Sequence, residues 1–269
     1  MILKRKIYKK LLEWKKECQG KKALLIEGAR RIGKSTICEE FGKSEYKSFL
    51  LIDFAKKDKE VEGYFEKYLN DLDTFFMLLQ THFGTKLTER NSLIIFDEVQ
   101  MFPQARAAIK YLVADGRYDY IETGSLISIR ENVKNIVIPS EERHINMYPL
   151  DFEEFAIALE EDLLVEYIKK CFEKREPLER SMHNQAMLLF HQYMLVGGMP
   201  MPVVTFIESK KDFTEADREK RDILKLYRED IMKIDAKYRS KVLAIYDQIP
   251  GFLSQHEKRV VFKKLQDGS

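Results

Sequence analysis

The stretch Gly28-Ala29-Arg30-Arg31-Ile32-Gly33-Lys34-Ser35-Thr36 decides the fold. It fits G-x-x-x-x-G-K-[ST]. The apolar run Ala23-Leu24-Leu25-Ile26 precedes it and a polar, helix-compatible stretch follows. Strand, loop and helix in that order form a cradle for phosphate. Gly28 and Gly33 lack a Cβ, which lets the backbone turn several N–H groups inward around one anion. The helix starting near Lys34 adds about half an elementary charge of dipole and free donors. Gly28, Ala29, Arg30, Arg31, Ile32, Gly33, Lys34, Ser35 and Thr36 are therefore the expected nucleotide-binding set. Lys34 is expected to reach the β- and γ-phosphates, and the Ser35 hydroxyl to ligate Mg²⁺. Thr36 either supports the helix start or contacts the α-phosphate. Arg30 and Arg31 hold positions that require no charge. They face solvent, a partner subunit or nucleic acid.

A second motif, Leu93-Ile94-Ile95-Phe96-Asp97-Glu98, reads as a buried parallel strand ending in two acids. Ligands of open α/β sheets sit beyond the carboxyl ends of the strands. Asp97 is thus expected beside the phosphates as a Mg²⁺ residue, and Glu98 as the general base for an attacking water. A third element, Tyr118-Asp119-Tyr120-Ile121-Glu122-Thr123-Gly124-Ser125, reads as a strand ending in hydroxyls. Either Thr123 or Ser125 would contact the γ-phosphate or the water. Otherwise Thr-Gly-Ser is an ordinary strand-to-helix turn.

At these residues the chain resembles AAA+-type P-loop ATPases. More narrowly, it resembles prokaryotic two-part ATPases with an N-terminal AAA domain and a C-terminal domain of unknown function. The loop at 28–35, Asp97-Glu98-Val99-Gln100 and Thr123-Gly124-Ser125 carry the likeness. So do Met147-Tyr148-Pro149-Leu150-Asp151-Phe152-Glu153-Glu154-Phe155, the segment from Tyr193 to Pro200, and Leu226-Tyr227-Arg228-Glu229-Asp230-Ile231. The resemblance implies ATP binding with Mg²⁺, hydrolysis and a helical lid after the sheet domain. It also aligns Arg143 with an arginine just before the last core strand. That residue would sense the γ-phosphate, act on a neighbouring subunit, or form a structural ion pair. Gly197-Gly198 resembles the lid turn, which as a bare sequence is a helix–helix connection. Relatives of this type continue past the segment Ile249-Pro250-Gly251-Phe252-Leu253-Ser254, so residues 249–269 are expected to open a C-terminal region that is cut short.

Strands are expected near 23–27, 48–53, 93–97, 118–123 and 144–147, with helices between them, including a long stretch from Glu60 to Phe83. Alternating strand and helix implies a parallel sheet with right-handed crossovers. The fold class is α/β, a P-loop NTPase three-layer sandwich. The resemblance supplies the five-strand order 5-1-4-3-2 and a following helical lid. The expected division is 1–150 for the ATPase core, 151–248 for the lid region and 249–269 for the opening of the next part. Asp151 and Glu154 have capping-box spacing. Met187, Leu188, His191, Met194 and Leu195 share one helical face, where His191 reads as a core histidine. Phe75, Phe76, Leu78 and Leu79 read as core, and charged residues near Lys210 to Glu215 as a linker.

The chain has 269 residues, 33% of them charged and 45% hydrophobic, which is a globular composition able to bury a sizeable core. A net charge of +2 opposes wholesale electrostatic binding of nucleic acid. The basic start, with Lys4, Arg5, Lys6, Lys9, Lys10, Lys15, Lys16, Lys21 and Lys22, reads as a solvated helix face first and as a phosphate-contacting patch second. Three cysteines without a paired spacing oppose a disulfide framework and a zinc site. No apolar run reaches membrane-spanning length and no signal-peptide core is present, so a reducing cytoplasm is expected, with no membrane partner. A guanine-reading N-K-x-D segment does not follow the loop. Adjacent acids at a strand end favour water activation over a small-molecule kinase. The competing reading is a nucleotide-gated module with little or no hydrolysis that docks DNA or a protein through the C-terminal part. No arginine finger is assigned within the one chain; a neighbouring subunit of an oligomer, or a partner, would supply it.

Overall fold

The computed structural model describes residues 1–124, 140–232 and 234–254. In chain order the elements are α1 (Ile7–Cys18), β1 (Ala23–Glu27), α2 (Lys34–Glu45), β2 (Ser48–Asp53), α3 (Lys59–Lys67), α4 (Leu72–Phe83), β3 (Ser92–Asp97), α5 (Pro103–Asp115), β4 (Asp119–Gly124) and β5 (Glu142–Asn146). Then follow α6 (Phe152–Ala158), α7 (Asp162–Lys174), α8 (Arg180–Val196), α9 (Pro200–Glu208), α10 (Phe213–Met232) and α11 (Ala236–Ser254). Short 3₁₀ turns close β2 and β3 at Phe54–Lys56 and Val99–Met101.

The strands form one five-stranded parallel sheet, ordered β2-β3-β4-β1-β5, which is the expected order read from the other edge. Both faces of β1 and β3 are covered, so their sequences run apolar without alternation. One face carries Leu24, Ile26, Leu93, Ile95 and Ile121 against Leu11 and Trp14 of α1 and Ile37, Cys38 and Phe41 of α2. The other carries Ala23, Leu25, Ile94, Phe96 and Tyr120 against α3, α4 and α5. Phe65 anchors that second layer. Its ring lies 5.0 Å from Phe75, 5.6 Å from Phe96, 5.7 Å from Phe102 and 5.8 Å from Phe54. Edge-on pairs of this kind add about 0.5–1.5 kcal/mol each beyond area burial.

The helical stretch from Glu60 to Phe83 is divided between α3 and α4. Asp71 accepts a hydrogen bond from the Thr74 N–H and caps the start of α4, which breaks the run after Lys67. Phe75, Phe76 and Leu79 of α4 are buried and Leu78 is half-buried.

Polar groups also enter the second layer. Leu25 pairs with Glu122 of β4 and with His144 of β5, and Ala23 with Glu142. Arg106 of α5 donates to both oxygens of Glu142, at 3.2 and 2.9 Å. His144 Nε2 lies 3.2 Å from the same carboxylate. Glu122 is wholly buried, 3.9 Å from Arg106 Nε, and its two oxygens have no hydrogen-bond partner among the described residues. Burial, then the like charge of Glu142, pushes the Glu122 carboxyl well above the usual range.

The chain separates into two compact units, Met1–Val204 and Thr205–Ser269. In the first, α6 begins with the expected capping box. Asp151 accepts from the Glu154 N–H and Glu154 from the Asp151 N–H. The apolar face expected on α8 is exposed: Leu188 is 61% and Met194 67% accessible, and His191 is exposed with them. Tyr193 and Gly198 set the rotation of α8. The Tyr193 hydroxyl donates to the Leu150 carbonyl at 2.9 Å, and the Leu150 N–H donates to the Gly198 carbonyl at 2.7 Å. Ala186, Leu189 and Val196 therefore turn inward. In the second unit, Arg228 of α10 pairs with Asp247 of α11, and the Tyr246 hydroxyl donates to the Leu224 carbonyl at 3.1 Å.

Candidate functional site

The sheet delivers Gly28, Asp97 and Thr123 to one edge. Glu27, Asp97 and Gly124 end their strands, and the register pairs Ile26 with Thr123 and Glu27 with Gly124. The loop after β1 needs its glycines for different reasons. A Cβ on Gly28 would stand 2.4 Å from the Met147 carbonyl oxygen. Gly33 has φ +90°, in the left-handed region, and Arg31 two residues earlier has φ +66°. Ile32, fully buried, pins the loop between them. The Ile37 N–H reaches the Gly33 carbonyl at 3.0 Å and starts α2.

Lys34 is 5% accessible, and its ammonium donates to the carbonyls of Gly28 and Ala29 at 3.1 and 2.9 Å. Burial holds it below the ordinary lysine range, opposed by the nearby Glu98 and Asp97 carboxylates. The Ser35 hydroxyl donates to Asp97 Oδ1 at 2.8 Å, and the Thr123 hydroxyl donates to the same oxygen. The Thr123 oxygen accepts from the Glu98 N–H at 3.3 Å. A hydroxyl of the loop, a carboxylate of β3 and a hydroxyl of β4 thus share one point. Cys38, one turn further along α2, is buried, and burial pushes its thiol up.

The sequence matches the AAA domain family over residues 20–156. The chain belongs to that family. Among solved structures, this AAA protein is similar to the ORC1 protein of Aeropyrum pernix in complex with DNA. Identity is 9% and the TM-score 0.38, over 99% of this chain and 82% of that one. It is also similar to a Signal Transduction ATPase with Numerous Domains protein with a tetratricopeptide repeat sensor from Pyrococcus horikoshii. There identity is 17% and the TM-score 0.40, and the match spans 98% of this chain but 38% of that one. No curated protein matches the sequence.

The AAA domain holds Glu98 in a strained backbone position, φ +55° and ψ +45°, a region a non-glycine residue occupies at a cost of about 1–3 kcal/mol. One Glu98 oxygen accepts from the Gln100 side-chain amide. Arg143 is not brought to the loop. It lies within β5 opposite Leu24, back from the carboxyl edge, and donates to Glu17 of α1 at 2.7 Å. The ion pair with Glu17 is one of the three roles expected of it. Ser125 lies outside the described residues. Arg30, Arg31 and Thr36 are exposed.

One feature escaped the sequence reading, and a turn named by the resemblance makes a contact that the resemblance did not supply. Arg5, counted within a solvated basic face, is instead buried against the loop. It donates to the carbonyls of Ile32 at 3.0 Å and Tyr148 at 2.6 Å and pairs with Glu154 at 3.3 Å. Lys6 beside it pairs with Asp151 and Glu153 at 2.6 and 2.7 Å. No spacing rule announces such a clamp, because its partners lie far along the chain. The turn is the one before α9. A Cβ on Gly33 would lie 3.7 Å from Pro200 Cγ, so the start of α9 abuts the loop after β1. The turn is more than a helix–helix connection.

Proposed function

We propose that this AAA domain binds ATP with Mg²⁺, hydrolyses it, and uses the nucleotide to move the helical region that follows the sheet. The observation that carries the proposal is the meeting of the Ser35 hydroxyl and the Asp97 carboxylate at 2.8 Å beside the buried Lys34. Two hard oxygen donors at one point suit Mg²⁺, which is held through one or two carboxylates plus substrate phosphates. Among the described residues no three His, Cys, Asp or Glu side chains gather around a point, so one acid and one hydroxyl are the protein's share. When bound, the ion neutralises charge on the phosphates.

The remaining work falls to the chain itself. Backbone amides of the loop hold the phosphates in place, and Lys34 exchanges its carbonyl partners for phosphate oxygens. Thr123 fixes the Asp97 carboxylate and the Glu98 backbone together. Glu98, once released by Gln100, takes a proton from the attacking water. Pro200 and the Gly197-Gly198 turn carry a change in the loop toward α8 and α9, the start of the expected lid.

The Glu98–Gln100 bond favours a second reading, in which turnover is slow and nucleotide binding gates a DNA or protein partner. Steady-state phosphate release with Mg²⁺ separates the two. Under the first reading Glu98→Gln binds ATP normally and loses turnover by about 10²–10⁴-fold. Wild-type protein that binds ATP and releases no phosphate supports the second.

A further inference from the structure

We propose that Arg5 is a positioning residue for the phosphate loop: it orients the Ile32–Gly33 peptide so that the Gly33 N–H grips the bound phosphate. The assignment rests on the ATP-binding reading above. Arg5 precedes α1 and belongs to no nucleotide motif, yet its side chain is only 6% accessible. Its guanidinium has three anchors from distant parts of the first unit. They are the Ile32 carbonyl of the loop at 3.0 Å, the Tyr148 carbonyl after β5 at 2.6 Å, and the Glu154 carboxylate of α6 at 3.3 Å.

The consequence for the loop follows from peptide geometry. In a planar trans peptide the C=O and N–H point in opposite directions. With the Ile32 carbonyl drawn toward Arg5, the N–H of Gly33 is directed away from it. A charged donor on the carbonyl also polarises that amide, which strengthens its N–H as a donor. The loop needs this support because Arg31 and Gly33 both hold left-handed backbone angles, φ +66° and +90°. Left alone, such a peptide has competing orientations. Glu154 cannot drift in turn, since it also accepts from the backbone N–H groups of Lys6 at 2.6 Å and Asp151 at 3.2 Å. The frame therefore runs from the cap of α6 through one guanidinium to the phosphate cradle. It places the first helix of the expected lid and the loop under a common constraint.

The test is calorimetric titration of the full chain with ATP and Mg²⁺, well below the melting temperature, alongside thermal melts. Arg5→Met should weaken ATP binding about tenfold. Arg5→Lys keeps the charge but not the planar fork that spans two carbonyls, so its affinity should fall between the two. Glu154→Gln added to Arg5→Met should cost little further affinity, because the two residues act as one unit. A lowered melting temperature with unchanged ATP affinity in Arg5→Met makes Arg5 a structural brace and overturns the assignment. Should Arg5→Met not fold, Arg5→Lys decides: wild-type affinity there overturns the assignment as well. Wild-type protein that binds no ATP overturns the functional reading and the assignment together. Normal wild-type binding with unchanged variant binding overturns the assignment alone.

Discussion

Glu122→Gln should stabilise the protein, by an amount that grows with pH. Glu122 sits wholly buried in β4, next to Thr123, and neither of its oxygens has a hydrogen-bond partner among the described residues. The Arg106 guanidinium, 3.9 Å from Glu122, gives its Nε and Nη2 hydrogen bonds to Glu142 instead, and His144 faces that same Glu142. Burial and the Glu142 charge raise the Glu122 pKa well above the usual range, so the folded state keeps the proton. The unfolded chain releases it near pH 4.3. A group with a raised folded pKa contributes its stability fully below the unfolded pKa and loses it as pH climbs toward the folded one. Each pH unit in that window costs about 1.4 kcal/mol, so the gap between wild type and variant widens by about that amount per unit for as long as the folded carboxyl keeps its proton. Glutamine carries no such proton. Other ionisations cancel when wild type and variant are compared at each pH. Urea unfolding of both proteins at pH 5, 6 and 7 reads the difference directly. A difference that does not change with pH would mean that Glu122 is charged in the fold, and would refute the reasoning.

Other outcomes follow from single contacts. Phe65→Ala removes a ring that packs against Phe54, Phe75, Phe96 and Phe102, and should cost about 3–5 kcal/mol in urea unfolding. Gly198→Ala would drive a Cβ to within 2.1 Å of the Leu150 carbonyl oxygen, so it should lower the melting temperature, whereas Gly63→Ala, with open space around it, should not. The depressed Lys34 pKa means that ATP affinity should begin to fall on the alkaline side at a pH below about 10.4, as the ammonium is lost. Titrations across alkaline pH check this, and affinity that holds up to the ordinary lysine pKa would count against it.

The sheet was legible because its signals are local. Fully buried strands such as Leu93-Ile94-Ile95-Phe96 read as unbroken apolar runs, and the ends of the five strands lie within two residues of expectation. The strand order came from the family resemblance, since no local signal encodes it. The loop, the two acids and the Asp151–Glu154 box were legible from spacing alone. What the sequence concealed depends on contacts between distant residues. Arg5 looked like one more member of a basic run until its partners at 32, 148 and 154 were in place. Glu122 alternates in step with Tyr120 and so belongs to a buried face, but its burial beside Glu142 needed the pairing of β4 and β5 with β1. On α8 the apolar stripe pointed to the wrong face, because the anchoring by Tyr193 and Gly198 sets the rotation of that helix. Arg143 followed its family position to an ion pair with Glu17 and away from the loop.

The most direct test of nucleotide binding is calorimetric titration of the full chain with ATP, with and without Mg²⁺, in wild type, Lys34→Ala and Asp97→Asn. Wild type should bind one ATP, Lys34→Ala should bind none, and Asp97→Asn should lose the part of the affinity that depends on Mg²⁺. Equal ATP affinity in wild type and Lys34→Ala would contradict a phosphate site at this loop.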